Sequence, residues 1–126
     1  MPNGTMTYAK VQAYLDAIAN KANLSVDDAP HGAFWRVSYQ QFVAGIVPGV
    51  QCKGADIPLI NTGTPLDTAF RVILAGDFCN KGQMPDGGPF VTDNGYSITL
   101  GDGTQVTGQQ ILDDIDSWLR NGYPEN

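Results

Sequence analysis

Thr107-Gly108-Gln109-Gln110-Ile111-Leu112-Asp113-Asp114-Ile115-Asp116-Ser117-Trp118-Leu119-Arg120-Asn121-Gly122 is the stretch that organises this chain. Thr107, with Gln110 three residues on, has the form of a capping box at a helix start. Ile111, Leu112, Ile115, Trp118 and Leu119 then recur at the spacing of one helix face. Asn121-Gly122 supplies a stop, with Pro124 just beyond it. The opposite side carries Asp113, Asp114 and Asp116, which read as a solvated face rather than an acid–base pair.

Working outward from that helix, Tyr96-Ser97-Ile98-Thr99-Leu100 alternates in polarity. Gly101-Asp102-Gly103 turns and Thr104-Gln105-Val106 returns, so a small β-hairpin is expected near residues 96–106. A third helix opens at Thr64-Pro65, carries Leu66, Phe70, Ile73 and Leu74 on one face and stops at Gly76. A short second helix follows the capping box Ser38-Tyr39-Gln40-Gln41, with Phe42 and Val43 inward and Gly45 as its end. The first starts from Thr7 as N-cap and places Val11, Tyr14, Leu15, Ile18 and Ala22 together. Residues 45–63 show no helical period and read as an irregular loop packed by Ile46, Val47, Val50, Ile57 and Ile60. With no repeats, low-complexity tract or linker, residues 8–124 form one domain, preceded by a flexible segment over 1–7.

The chain has 126 residues, enough for one core without metal or disulfide support. Its 15 glycines and 8 prolines predict long ordered loops between short helices. Seven basic against 13 acidic side chains leave a net charge of −6, which repels phosphate backbones and anionic headgroups. Nucleic acid and membrane surfaces are therefore not expected as partners. No run approaches the ~20 apolar residues of a membrane span. The N-terminus lacks the basic and apolar regions of a signal peptide, so an exported protein would have lost its signal before this point. Cys52 and Cys79 lie among Gly, Asp and Lys. They read either as a disulfide closing a loop of roughly 28 residues or as two free thiols. The disulfide reading favours an oxidising compartment, and hence a periplasmic or secreted location.

The single histidine, His31, sits in Asp27-Asp28-Ala29-Pro30-His31-Gly32, followed by Ala33-Phe34-Trp35. Farther on come Gly82-Gln83-Met84-Pro85-Asp86-Gly87-Gly88-Pro89-Phe90 and the terminal Ile115-Asp116-Ser117-Trp118-Leu119-Arg120-Asn121-Gly122-Tyr123-Pro124. This order of His-Gly, loop, helix, Met-Pro and amphipathic terminal helix resembles the cytochrome c superfamily, over about residues 8–124. The resemblance implies a mainly α, cytochrome c-like fold of about four short helices with long loops. It also implies His31 and Met84 as axial ligands of haem iron, a thioether ligand favouring Fe(II). The departure lies at Asp27 and Pro30, where the family's two haem-attaching cysteines would stand, so covalent haem is excluded there.

Two bland readings stand beside that one. His31 can fix a turn through a backbone carbonyl, and Met84 can fill a core gap. Phe34, Trp35, Tyr39, Phe42 and Trp118 read as core, or as residues filling a crevice without haem. Asp93-Asn94-Gly95 and Asp102-Gly103 lack the ligand spacing of a calcium loop and read as turns. No nucleophile has a base and an orienting acid nearby. The expectation is a non-enzymatic, haem-free binding or interaction module whose partner is a protein or small ligand. The alternative is a non-covalent haem protein, an electron carrier or haem carrier, held through His31 and Met84.

Overall fold

Thr107 ends a strand and begins a helix in one residue, and the fold is arranged around that junction. The computed structural model describes residues 6–22, 35–76, 83 and 89–125, with backbone alone over 47–51. In chain order the described elements are α1 (Tyr8–Lys21), α2 (Tyr39–Ala44), β1 (Ile46–Cys52) and β2 (Ala55–Pro58). A 3-10 turn (Pro65–Asp67), α3 (Ala69–Ala75), β3 (Ser97–Thr99), β4 (Gln105–Thr107) and α4 (Gly108–Arg120) follow.

α1 and α4 are the long helices, and each starts where a hydroxyl takes up a free backbone N–H. Thr7 Oγ1 accepts from Lys10 N–H, and Thr107 Oγ1 accepts from Gln110 N–H. The expected box at Thr107 is half formed, because the Gln110 amide turns forward to Asp114 instead of back. α2 has the complete box, with Ser38 and Gln41 satisfying each other's backbone.

α4 buries Ile111, Leu112, Ile115, Trp118 and Leu119, the face read from the sequence. α1 buries Tyr8, Val11, Tyr14, Leu15, Ile18 and Ala19. Phe42, Phe70 and Leu74 close the core from α2 and α3. Truncating Ile111 or Ile115 to Ala in such a core costs about 2–5 kcal/mol.

The expected third helix is divided. Asn61, not Thr64, caps its entry, its Oδ1 accepting from Gly63 and Thr64 N–H. The turn Pro65–Asp67 leaves Leu66 exposed, and α3 restarts after Thr68. Thr68 is fully buried, and its Oγ1 accepts from Asn61 N–H at 3.0 Å.

The fold-class expectation is overturned. The chain is mixed α/β and does not show a mainly α, cytochrome c-like fold: its four described helices come with two separate antiparallel hairpins. β3 and β4 pair at 97–107, with Ile98 opposite Val106. The other hairpin, β1–β2, occupies the stretch read as an irregular loop. Lys53 at φ 53° and Gly54 at φ 79° make its turn, the positive-φ pair that matches the twist of two strands. Of the residues expected to pack a loop there, Ile57 and Ile60 are buried, while Ile46 is exposed. The Val47 and Val50 side chains lie outside the described residues.

Gly108 shows why the β4–α4 junction tolerates no side chain. A Cβ there would come within 1.8 Å of the Val91 carbonyl oxygen, and the Gly108 N–H donates to the Tyr96 carbonyl at 3.0 Å.

Candidate functional site

Where α4 ends, the Gly122 N–H donates to Leu119 O and the Tyr123 N–H to Trp118 O, with Gly122 at φ 88°. These are the paired bonds of a Schellman cap, and the Tyr123 and Trp118 rings make the apolar contact that accompanies one. The cap turns the chain back, so residues 123–125 run across the ends of three helices.

Three successive carbonyls of that tail each meet a donor from a different helix. The Tyr39 hydroxyl of α2 donates to Tyr123 O at 2.7 Å. The Trp118 indole Nε1–H of α4 donates to Pro124 O at 2.8 Å. The Tyr8 backbone N–H, at the start of α1, donates to Glu125 O at 3.3 Å. A first-turn N–H has no partner within its own helix, so it is free to bind a carbonyl from outside. Burial, with Tyr123 and the Glu125 carboxylate nearby, raises the Tyr39 pKa and keeps its hydroxyl a donor.

Beneath the tail lies a continuous aromatic floor. Tyr8 meets Tyr39, Phe42 and Trp118 at centroid separations of 5.7, 5.1 and 6.5 Å. Phe42 meets Phe70 at 5.7 Å, and Trp118 meets Tyr123 at 6.2 Å. These are separations of rings in direct contact. Trp35 is also buried, its Nε1–H donating to Asp16 Oδ1 at 2.7 Å, and Arg36 pairs with the same oxygen. The Tyr8 hydroxyl and the Gln12 amide hold the Trp35 and Val37 carbonyls against α1.

The acidic side of α4 is only partly a solvated face. Asp114 accepts from the Tyr14 hydroxyl at 2.5 Å, linking α4 to α1, and from Gln110. Burial and then Asp114 drive the Tyr14 pKa upward. Asp116 takes two bonds from Arg71 of α3, at 2.6 and 3.0 Å. Asp113 fits the sequence reading, being exposed and bonded to Gln109. Asp93 and Asp102 serve turns, accepting from Phe90 and Thr104 N–H.

The proposed iron ligands His31 and Met84 lie outside the described residues, as do Phe34 and Cys79. Cys52, at the end of β1, is disulfide-bonded. Among the described residues no group of three His, Cys, Asp or Glu could hold a metal ion. Of the aromatic residues read as core or as filling a crevice without haem, Trp35, Tyr39, Phe42 and Trp118 are described. The Phe42 and Trp118 rings pack on other protein rings, and the Trp35 indole is anchored by Asp16.

Sequence reasoning missed the three tail donors: Tyr39 and Trp118 read as core or as crevice-filling residues, and nothing singled out Tyr8. The available signal was Pro124 directly after a helix stop, with Tyr and Trp carrying polar tips that need partners. Among the described residues no helix is long and apolar enough to cross a membrane. Comparison with family models, with curated proteins and with solved structures finds no match to this chain.

Proposed function

We propose that this protein is a non-enzymatic, haem-free binding module, acting on a protein or small-ligand partner. The observation that carries the reading is how its polar side chains are used. Asp16, Asp114 and Asp116 each bond a group on another part of the fold, Trp35 and Arg36, Tyr14, and Arg71 respectively. Groups committed to joining structural elements are poor candidates for proton transfer to a substrate. The direct ring-to-ring packing of Tyr8, Phe42, Phe70 and Trp118 likewise supports an interior filled by protein.

The charge of −6 favours a basic or neutral partner over nucleic acid. A bonded Cys52 suits an exported protein in an oxidising compartment.

The test is a haem titration of the purified protein followed by absorption spectroscopy, with His31→Ala and Met84→Ala in parallel. The expected result is no saturable Soret shift and identical spectra for all three proteins. A sharp shift abolished by His31→Ala would overturn the haem-free reading and establish the electron-carrier or haem-carrier alternative.

A further inference from the structure

We propose that Asn94-Gly95 is a self-modification site, where the Gly95 backbone nitrogen attacks the Asn94 side chain and the turn converts to aspartate and isoaspartate. The isoaspartyl form loosens the β3–β4 hairpin that follows. This stands apart from the binding-module reading and does not depend on it.

The Tyr96 N–H donates to the Asp93 carbonyl at 3.2 Å, closing a β-turn with Asn94 and Gly95 at its two central positions. Gly95 stands at φ 79°, a conformation that suits glycine. Asp93 fixes the frame from the other side: its N–H donates to the Phe90 carbonyl, and its Oδ2 accepts from the Phe90 N–H. Inside that frame the Asn94–Gly95 peptide is the central unit, whose N–H takes no part in the closing bond. Both residues are exposed, and neither the Gly95 N–H nor the Asn94 amide has a hydrogen-bond partner among the described residues. The central peptide can therefore swivel toward the Asn94 Cγ while the closing bond holds. Glycine has no Cβ to obstruct the approach.

Asn121-Gly122 is the same pair, also exposed, but the fold treats it differently. The Gly122 N–H is engaged by Leu119 O at 3.3 Å, and the Asn121 N–H by Ser117 O at 3.0 Å. Attack there requires the end of α4 to open first. Asn3-Gly4, the remaining such pair, lies outside the described residues.

The chemistry needs only water. The Gly95 N–H gives its proton to solvent hydroxide, and the nitrogen bonds to Asn94 Cγ. The Cγ–Nδ2 bond breaks, and Nδ2 leaves as ammonia with a proton drawn from water. Water then opens the succinimide ring at either carbonyl. Opening at Cγ leaves aspartate. Opening at the main-chain carbonyl leaves isoaspartate, which routes the backbone through Cβ and Cγ and lengthens it by one carbon. That carbon falls between the Asp93 carbonyl and the Tyr96 N–H, so their bond loses its register. The disturbance reaches the hairpin directly, because Ser97 starts β3 and the Tyr96 carbonyl accepts from the Gly108 N–H at 3.0 Å.

The test incubates the full chain in mildly alkaline buffer, folded and in urea, and maps its Asn-Gly peptides by mass spectrometry over time. In the folded protein Asn94 should convert about three- to tenfold faster than Asn121, the worth of the hydrogen bond on Gly122. In urea that ratio should shrink. Asn94→Gln, which would have to close a larger ring, should leave its own peptide unchanged and the Asn121 rate as before. Either product adds a negative charge, so anion exchange separates the modified fraction. That fraction should contain isoaspartate at position 94 and unfold at lower urea than Asn94→Asp, which has the same charge on an ordinary backbone. A folded-state ratio no greater than in urea, or a modified fraction as stable as Asn94→Asp, overturns the proposal.

Discussion

Arg71 grips Asp116 through two bonds, Nε to Oδ1 at 2.6 Å and the terminal guanidinium nitrogen to Oδ2 at 3.0 Å. Both side chains are largely covered, at 25% and 16% exposure, and the pair joins α3 to α4. The bond from Asp116 raises the Arg71 pKa further, so the guanidinium stays charged throughout the accessible pH range. Asp116→Ala strands that charge in a half-covered position. The expected cost is about 2 kcal/mol in urea unfolding, between the values for exposed and buried pairs. Arg71→Lys should recover less than half of the interaction, because an ammonium cannot make the paired contact. A cost below a few tenths of a kcal/mol for Asp116→Ala would refute a structural role for the pair.

Gly108→Ala should be among the most damaging small substitutions in the chain. Its methyl would run into the Val91 carbonyl, which is backbone and cannot rotate away. A loss of about 3 kcal/mol or more is expected by thermal or denaturant unfolding. Gly101→Ala is the control: nothing lies within 4 Å of a Cβ there, and its effect should be within about 0.5 kcal/mol.

Alkaline pH should unfold this protein through its tyrosines. Burial raises the pKa values of Tyr8 and Tyr14, and burial with Asp93 nearby pushes Tyr96 up to about 12. A folded pKa above the unfolded value means the unfolded chain loses its protons first. Stability is therefore at its full value below pH 10 and falls as pH rises from about 10 toward 12 and beyond. Tyr96 alone accounts for roughly 3 kcal/mol of that fall. Its buried hydroxyl has no hydrogen-bond partner among the described residues, and Lys21 sits 5.1 Å above its ring. Tyr96→Phe should flatten the alkaline slope and raise stability near neutrality by about 1 kcal/mol. Urea midpoints between pH 8 and pH 12 check both effects, and an unchanged slope in Tyr96→Phe would contradict them.

Cys52 is disulfide-bonded, and Cys79 is the only other cysteine in the chain. Intact mass should fall short of the reduced protein by two hydrogens, and non-reducing peptide mapping should join the two segments. Cys79→Ser should cost about 3 kcal/mol, from the entropy of a loop of about 28 residues. Alkylation of both thiols in the native, unreduced protein would exclude the pairing.

Three of the four described helices were legible because their signals are local. Thr7, Ser38 and Thr107 sit beside the donors they cap, and the apolar face of α4 repeats within its own 13 residues. The β1–β2 hairpin was not legible, because its turn is Lys-Gly rather than a familiar hairpin pair, and β2 buries only Ile57 of its four residues. With one inward side chain there is no alternation to detect. The same blindness sustained the cytochrome-like expectation, since short motifs in a suggestive order say nothing about strands between them. The tail donors were hidden for a different reason. Tyr39 and Tyr123 are 84 positions apart, and no local pattern marks a hydroxyl for a carbonyl that distant.

Tyr8 bonds the backbone of Glu125, and Tyr14 bonds Asp114 across 100 positions of chain. The first helix thus completes two of its hydrogen bonds with residues far along the chain. Trp35, Val37 and Phe42 also lie against it, and these contacts close far shorter loops than those to Asp114 and Glu125. A chain halted before Thr107 keeps the partners Trp35, Val37 and Phe42 for that helix but lacks Asp114 and Glu125. A hydroxyl and a backbone amide of one helix stitch the two halves of the fold together across about a hundred residues of chain.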